Sequence, residues 1–420
     1  MKLFPDQEEI AKAYGAFLLE EGGGTMRISG GPGYGKSAMV EHLIEMTPKI
    51  LGMRSMITGS DEKAQILLTA STNKAAANLG NLCGTLGVKA KTIHSTLKLR
   101  MKRDYSTGQE YLVETESSQP MSGKIVFIDE AGSIGASLLE KITRLLSRSK
   151  VIFIGDADQT LPIKESVSPV FAKGEPVHYL STPKRQEEGN SILQLASLLR
   201  ETVRGGSFPS DLAIGDNVHF LEPKAFAAKL DELIGYDGYQ GENRILVWRN
   251  NTAKEFNDYC RGLHYPDAAP VPGEQYVVRK PVVIENNILH SIEEVLTVDS
   301  MRGIETLYEV EYYPVRTTSY TNVRIPVKPD ELDELMNYFR KEKNWKEFYK
   351  YQDAFADVRP VYAGTIHSAQ GSTYDNVFID LTDIGGCRNP KEVARILYVA
   401  ITRARHNVYV VGSLPAKYRR

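Results

Sequence analysis

Short apolar runs alternate with amphipathic stretches along the chain. Residues 6–20 carry Ile10, Ala13, Tyr14, Phe17 and Leu18 on one helical stripe, with Pro5 near its start and Gly22-Gly23-Gly24 after its end. Met26-Arg27-Ile28-Ser29 has the pattern of a strand, and residues 36–46 that of a helix burying Met39, Val40, Leu43 and Ile44. Residues 65–70, 124–128 and 151–155 are apolar enough to be buried strands. A helix runs through Leu79, with Thr72 or Asn73 as its N-cap. Lys91-Thr92-Ile93-His94-Ser95 opens a further short element. The alternation predicts an α/β lobe with a parallel sheet. Residues 98–116 break it: polar-apolar stretches flank Ser106-Thr107-Gly108, which predicts a β-ribbon.

A second alternation follows. Residues 187–200 predict a helix, 218–221 a strand, 225–233 a helix, 245–248 a strand and 253–260 a helix. Between 270 and 328 the period changes to strand-like runs separated by turn residues, which predicts a small β-barrel inserted into the second lobe. Residues 329–355 are helical, with Trp345, Phe348, Tyr349, Tyr351 and Phe355 among Lys341, Lys343, Lys346 and Lys350. That stretch either docks on its own barrel or contacts nucleic acid. The second lobe resumes with a strand at 377–381, a helix at 394–403 and a strand at 408–411. The expected domains are 1–177, with the ribbon at 98–116; 178–262; the insertion at 263–358; and 359–420.

With 420 residues, 42% hydrophobic and 25% charged, the composition is globular and sufficient for two to four domains. A net charge of −2 excludes a histone-like or tail-type nucleic-acid binder but not a basic groove on one face. Cys83, Cys260 and Cys387 are far apart, with neither zinc nor disulfide spacing, which fits a reducing cytosol. No signal-peptide core and no bilayer-length apolar run appears, so a soluble protein without membrane contact is expected.

The chemistry begins at Gly30-Gly31-Pro32-Gly33-Tyr34-Gly35-Lys36-Ser37, which fits the phosphate-binding P-loop G-x-x-x-x-G-K-[ST]. Its glycines let backbone N–H groups wrap a triphosphate, Lys36 reaches the β- and γ-phosphates, and the Ser37 hydroxyl can hold Mg²⁺. The predicted strand and helix on either side are the required context. Asp129-Glu130 ends a predicted strand, where ligands bind in open α/β sheets. One acid can hold the metal and the next can orient the attacking water.

Two later segments extend the set: Thr365-Ile366-His367-Ser368-Ala369-Gln370-Gly371 and Leu397-Tyr398-Val399-Ala400-Ile401-Thr402-Arg403-Ala404-Arg405. With the P-loop, Asp129-Glu130 and Gly155-Asp156-Ala157-Asp158-Gln159, the chain resembles superfamily 1 helicases in motif content and order. The T-x-H-x-A-Q-G form, the ribbon and the barrel with its aromatic helices resemble the 1B branch, including RecD-like motors. The resemblance spans nearly the whole chain. It implies two RecA-like P-loop NTPase lobes, a β-ribbon inserted in the first and a β-barrel plus helices in the second. It implies an ATP-dependent DNA helicase moving 5′→3′ on single-stranded DNA in replication, recombination or repair. Its cofactors would be ATP and Mg²⁺, and its partners single-stranded DNA, duplex forks and a single-strand-binding protein. It would act as a monomer in a bacterial cytoplasm, encoded by a cell or a phage.

The resemblance also implies roles. Gln7 would read adenine; Gly33, Tyr34, Gly35, Lys36, Ser37 and Gly371 would hold the nucleotide; Ser37 and Asp129 would hold Mg²⁺. Glu130 would activate water, Gln159 would sense the γ-phosphate, and Arg185 and Arg403 would stabilise charge on it, completing a catalytic set with Lys36. Thr72, Asn73, Lys74, His94, Arg249, Asn250, Thr365 and His367 would contact DNA. The ribbon would be the strand-separating pin, with Tyr105, Tyr111 or Val113 near the fork, and the Trp345 stretch would brace it or guide the displaced strand. Three positions depart from the family pattern: Ser71 replaces a common proline, Gly132 a common serine, and Tyr34 a small threonine. Residues alone leave open a translocase or RNA helicase with the same motor, or an ATP-gated single-strand binder; Glu130, Arg185 and Arg403 speak against the binder.

Overall fold

The computed structural model describes residues 3–59, 65–84, 87–159, 168–172, 174–182, 190–212, 215–235, 239, 241–265, 269–284 and 287–418. The chain divides into two compact units: Met1–Lys102 with Tyr111–Gly189, and Arg103–Glu110 with Asn190–Arg420.

The first unit is built on a parallel sheet with the strand order Ala90–Thr92, Gln65–Ala70, Ser122–Asp129, Arg148–Gly155, Gly24–Gly30, His178–Leu180. Its central strands Ser122–Asp129 and Arg148–Gly155 carry buried apolar runs, 125–128 and 151–154, because both faces are covered. Ile125 and Phe127 pack with Tyr14 and Leu43 of the helices Pro5–Leu19 and Lys36–Thr58. The alternate residues, Val126 and Ile128, pack with Ile142 and Leu145 of the helix Ala136–Leu145. The expected boundary after residue 177 is corrected: His178–Leu180 pairs parallel with Gly24–Gly30 and closes the first sheet. Three residues have too little periodicity to reveal which sheet they join. The helix after the P-loop runs twelve residues beyond its expected end at 46 and carries Pro48 inside it. The Thr47 hydroxyl donates to the Leu43 carbonyl at 2.7 Å one turn back from that proline.

The second unit has its own parallel sheet, ordered Ala363–Thr365, Asn243–Val247, Tyr374–Asp380, Ala404–Val411, Val218–Leu221. The helix Pro390–Ile401 is buried along most of its length and packs with Ser191–Val203. An antiparallel sheet lies between Gln275–Val278 and Val358–Pro360 in the chain. Its strands Asn322–Pro326 and Val358–Pro360 are bridged at one end, where the Ala356 N–H donates to the Arg324 carbonyl at 2.8 Å.

The helical stretch expected at 329–355 is two helices, Pro329–Lys341 and Trp345–Ala354, interrupted where Lys343 takes a left-handed φ of 55°. Phe348, Tyr349, Tyr351 and Phe355 are buried with Tyr312, Leu332 and Met336, so these rings dock on the unit's own sheet and helices. The ribbon forms from Leu99–Asp104 and Gln109–Glu114, and its turn clusters with the second unit. No helix among the described residues is long and apolar enough to cross a membrane.

Candidate nucleotide and nucleic-acid site

Strand order explains why scattered motifs meet. Along the C-terminal edge of the first sheet come His94, Thr72, Asp129-Glu130, Asp156 to Gln159 and then the P-loop, each just beyond the end of its strand. Residues implied for DNA take one side, residues implied for nucleotide the other, and the two carboxylates stand between them.

In the P-loop, Gly33 and Gly35 have φ of 82° and 79°, a conformation that any Cβ would strain, and Gly35 caps the helix Lys36–Thr58. The Lys36 ammonium donates to the carbonyls of Gly30 at 2.8 Å and Gly31 at 3.2 Å, occupying the loop's own oxygens in place of phosphate. Tyr34 is partly buried against the first unit's core. Gln7 is 1% exposed; its Oε1 accepts from the Phe4 N–H at 3.2 Å, while its buried Nε2 has no partner among the described residues. A buried amide donor left over in this way fits a ring nitrogen of adenine. Gln159 is also buried: its Nε2 donates to Asp156 at 3.1 Å, and among the described residues its Oε1 has no donor. That leftover acceptor fits an attacking water. Ser37, Asp129 and the phosphates are a donor set suited to Mg²⁺, which keeps several waters and takes few protein ligands.

Asp129 accepts the Glu130 N–H at 2.8 Å. Burial, then the adjacent Glu130 carboxylate, pushes its pKa up to about 6. Glu130 itself sits at φ 52°, a left-handed conformation that costs a non-glycine residue on the order of 1–3 kcal/mol. Two departures from the family pattern then meet. The Ser133 hydroxyl lies 2.8 Å from that of Ser71 and 2.9 Å from the Glu130 carbonyl, and Ser71 reaches the same carbonyl at 3.2 Å. Ser133 thus supplies a hydroxyl at this point, one residue after Gly132. Next to Ser71, Thr72 caps the helix Asn73–Cys83 through the Ala75 N–H at 3.2 Å, and Thr72 and Asn73 are exposed at its start. His94 is half-buried, and burial lowers its pKa.

The second unit separates its residues between opposite edges of one sheet. At the C-terminal edge, Thr365 ends its strand beside the strand leading to Arg249 and Asn250, and His367 is exposed just beyond. Arg249 donates through Nε to Asp383 at 2.6 Å, and the same fully buried carboxylate accepts the N–H groups of Trp248 and Arg249 and the Thr252 hydroxyl. Arg359 donates to the Ser368 hydroxyl and to Glu293, each at 2.9 Å, pinning the loop that carries His367. Neither Asp383 nor Arg359 carries a sequence signal. At the opposite edge, Gly371 and Arg403 precede their strands. Arg403 is 5% exposed and donates to the carbonyls of Val399 at 3.1 Å and Ser372 at 3.3 Å. Arg185 lies outside the described residues.

The ribbon turn is clamped within the second unit. Arg103 grips both oxygens of Asp353 at 2.6 and 2.9 Å, and the Tyr349 hydroxyl donates to the Gly108 carbonyl at 3.1 Å. Gly108, at φ 70°, lies against the Trp345 indole, which leaves no room for a side chain.

Residues 20–165 match the AAA domain family, and residues 360–411 match the UvrD-like helicase C-terminal domain. With two parallel α/β units and a P-loop site, these matches define a P-loop helicase motor. The chain is similar to the ATP-dependent DNA helicase dda of Enterobacteria phage T4, 23% identical over 441 residues, 91% of this chain and 93% of the relative. It is similar over 153 residues to the RecBCD subunit RecD of Buchnera aphidicola, 29% identical, covering 33% of this chain and 23% of that subunit. Its fold resembles that of Bacteroides Pif1 helicase, solved with ADP-AlF3 and single-stranded DNA: TM-score 0.55, 15% identity, all of this chain and 94% of that one. Pif1 bound to single-stranded DNA alone gives a TM-score of 0.51 at 14% identity, again over all of this chain and 94% of that one. The chain is an ATP-dependent DNA helicase, similar in sequence to the dda helicase and in fold to Pif1.

Proposed function

We propose that this ATP-dependent DNA helicase moves 5′→3′ along single-stranded DNA and opens the duplex ahead of it, with the ribbon as its pin. The observation that carries the reading is the single sheet edge on which the Ser71–Ser133 contact joins Glu130 to the helix start at Thr72. A motor needs that connection; a nucleotide-gated binder has no use for a water-activating carboxylate at its centre.

In the proposed cycle Gln7 holds adenine, and Lys36 exchanges the Gly30 and Gly31 carbonyls for the β- and γ-phosphates. Ser37 and Asp129 would hold Mg²⁺, which supplies charge neutralisation on the phosphates. Glu130 orients the attacking water and Gln159 accepts its proton in a hydrogen bond. Arg185 and Arg403 stabilise charge developing on the γ-phosphate; Arg403 must first release the Val399 and Ser372 carbonyls. Thr72, Asn73, Lys74 and His94 on one unit, and Arg249, Asn250, Thr365 and His367 on the other, take successive grips on the phosphate backbone, which carries no sequence information. The sheet at 275–360 with its two helices is the inserted β-domain of this motor, and the Trp345 helix braces the pin.

The test is unwinding of 5′-tailed and 3′-tailed duplexes side by side, with ATP hydrolysis measured on DNA and RNA oligonucleotides. Unwinding of the 5′-tailed substrate alone, with DNA-stimulated hydrolysis, is the expected result. Unwinding only from the 3′ tail overturns the polarity, and stimulation by RNA alone overturns the substrate.

A further inference from the structure

We propose that a pocket between the ribbon turn and the helix Trp345–Ala354 binds a nucleotide of the strand that the motor does not track. The inference rests on the helicase reading above. The pocket has a volume of about 460 Å³ and is lined by Tyr105, Lys346, Tyr349, Lys350 and Asp353. That volume is within the range of small-ligand sites. None of the motif residues lines it.

Its walls combine a ring face with cations. Tyr105 is 55% exposed and is held edge-on by Tyr349, with ring centroids 5.7 Å apart. Lys346 is exposed and makes no ion pair among the described residues. Lys350 pairs with Glu347 at 2.9 Å and stands 4.2 Å from the Tyr308 ring centroid. The acid in the lining, Asp353, is paired, with both its oxygens accepting from Arg103, and the cations of the lining are Lys346 and Lys350. Arg103 also pairs with Glu110 at 3.0 Å, so its one charge is shared between two carboxylates, and it lies 4.3 Å over the Tyr349 ring.

A planar base on an anionic backbone uses every one of these features: a free aromatic face for stacking and an unpaired ammonium for phosphate. A free carboxylate ligand would leave the exposed ring unused, and an apolar peptide would leave Lys346 unpaired. The site is also preformed. Trp345 against Gly108, and the Tyr349 hydroxyl on the Gly108 carbonyl, fix the turn that carries Tyr105. A fork presents two strands. The motor loops are proposed to hold one, so a fixed nucleotide site on the pin turn serves the other.

The test uses the full chain and labelled forks carrying tails on both strands or on the tracking strand alone. Binding is read without ATP. The wild type is expected to bind the two-tailed fork about fivefold more tightly, a loss expected when one stacked, phosphate-paired nucleotide is removed. Lys346→Glu and Tyr105→Ala should erase the difference, and Tyr105→Phe should keep it. Lys346→Glu should leave ATP hydrolysis stimulated by single-stranded DNA unchanged. Equal wild-type binding of the two forks, or a preference that survives both disabling substitutions, overturns the pocket. The helicase reading fails separately, through absent hydrolysis on single-stranded DNA, and the tail preference is scored without hydrolysis.

Discussion

The hydroxyls of Ser71 and Ser133 meet at 2.8 Å, and both reach the carbonyl of Glu130. Ser71 immediately precedes the helix start proposed for DNA, so these hydrogen bonds link that helix start to Glu130. Ser133→Ala should lower DNA stimulation of ATP hydrolysis about fivefold, which corresponds to a hydrogen bond of about 1 kcal/mol. Hydrolysis without DNA should hold. Ser71→Ala should do the same, and the double variant should be no worse than either single one because they share one interaction. Additive losses would show that the two serines act separately.

Lys36→Ala and Glu130→Gln should each cut DNA-stimulated ATP turnover at least about 10²–10³-fold, the scale for removing a group that acts on developing charge or on the nucleophile. Circular dichroism and melting should be little changed, since both side chains are at the sheet edge and not in the core. Retained turnover in either variant would sink the assigned mechanism.

Gly108→Ala should separate unwinding from hydrolysis. The position has φ 70° and lies against the Trp345 ring, so a methyl group meets both backbone strain and the indole. The turn must shift, and the Tyr349 and Arg103 contacts beside it loosen. Single-strand-stimulated ATP hydrolysis should stay within about twofold while unwinding falls about tenfold, an effect the 1 Å-scale sensitivity of positioned groups supports. Unchanged unwinding would show that the clamp on the ribbon is dispensable.

Asp129 supplies a pH prediction. Burial and Glu130 raise its pKa to about 6, so the carboxylate is increasingly protonated as pH falls through that value. A metal ligand must be deprotonated, so protons and Mg²⁺ compete for it. The Mg²⁺ concentration giving half-maximal ATP hydrolysis should rise as pH drops below about 6 and level off above it. In Asp129→Asn that pH dependence should vanish together with most of the activity. A pH-independent Mg²⁺ requirement would remove Asp129 from the metal site.

Much of this was legible in one dimension. The P-loop shows because glycine is required where φ is positive, at Gly33 and Gly35, and because a lysine and a serine follow at the motif's spacing. Buried parallel strands show as apolar runs, and Asp129-Glu130 shows because the acid pair ends such a run downstream of a P-loop. The ribbon shows through its turn residues. Asp383 and Arg359 do not show, since an acid after a strand or an arginine within one has no meaning until its partners, over a hundred residues away or across a sheet, are in place. Nor does His178–Leu180 reveal its sheet.

The sequence by itself determined which chemical groups this protein has and their order: phosphate loop, carboxylate pair, polar helix starts, an arginine at the end of the last helix. Local rules suffice for these, because glycine conformation, helix capping and apolar periodicity act over a few residues. Tertiary structure decided which groups meet. Strand order places the residues proposed for DNA and for nucleotide on one edge with Glu130 between them, pairs Ser71 with Ser133, and sets Tyr105 beside lysines more than two hundred residues on. Those contacts depend on parallel register and packing, which are properties of the folded sheet and not of any stretch of chain.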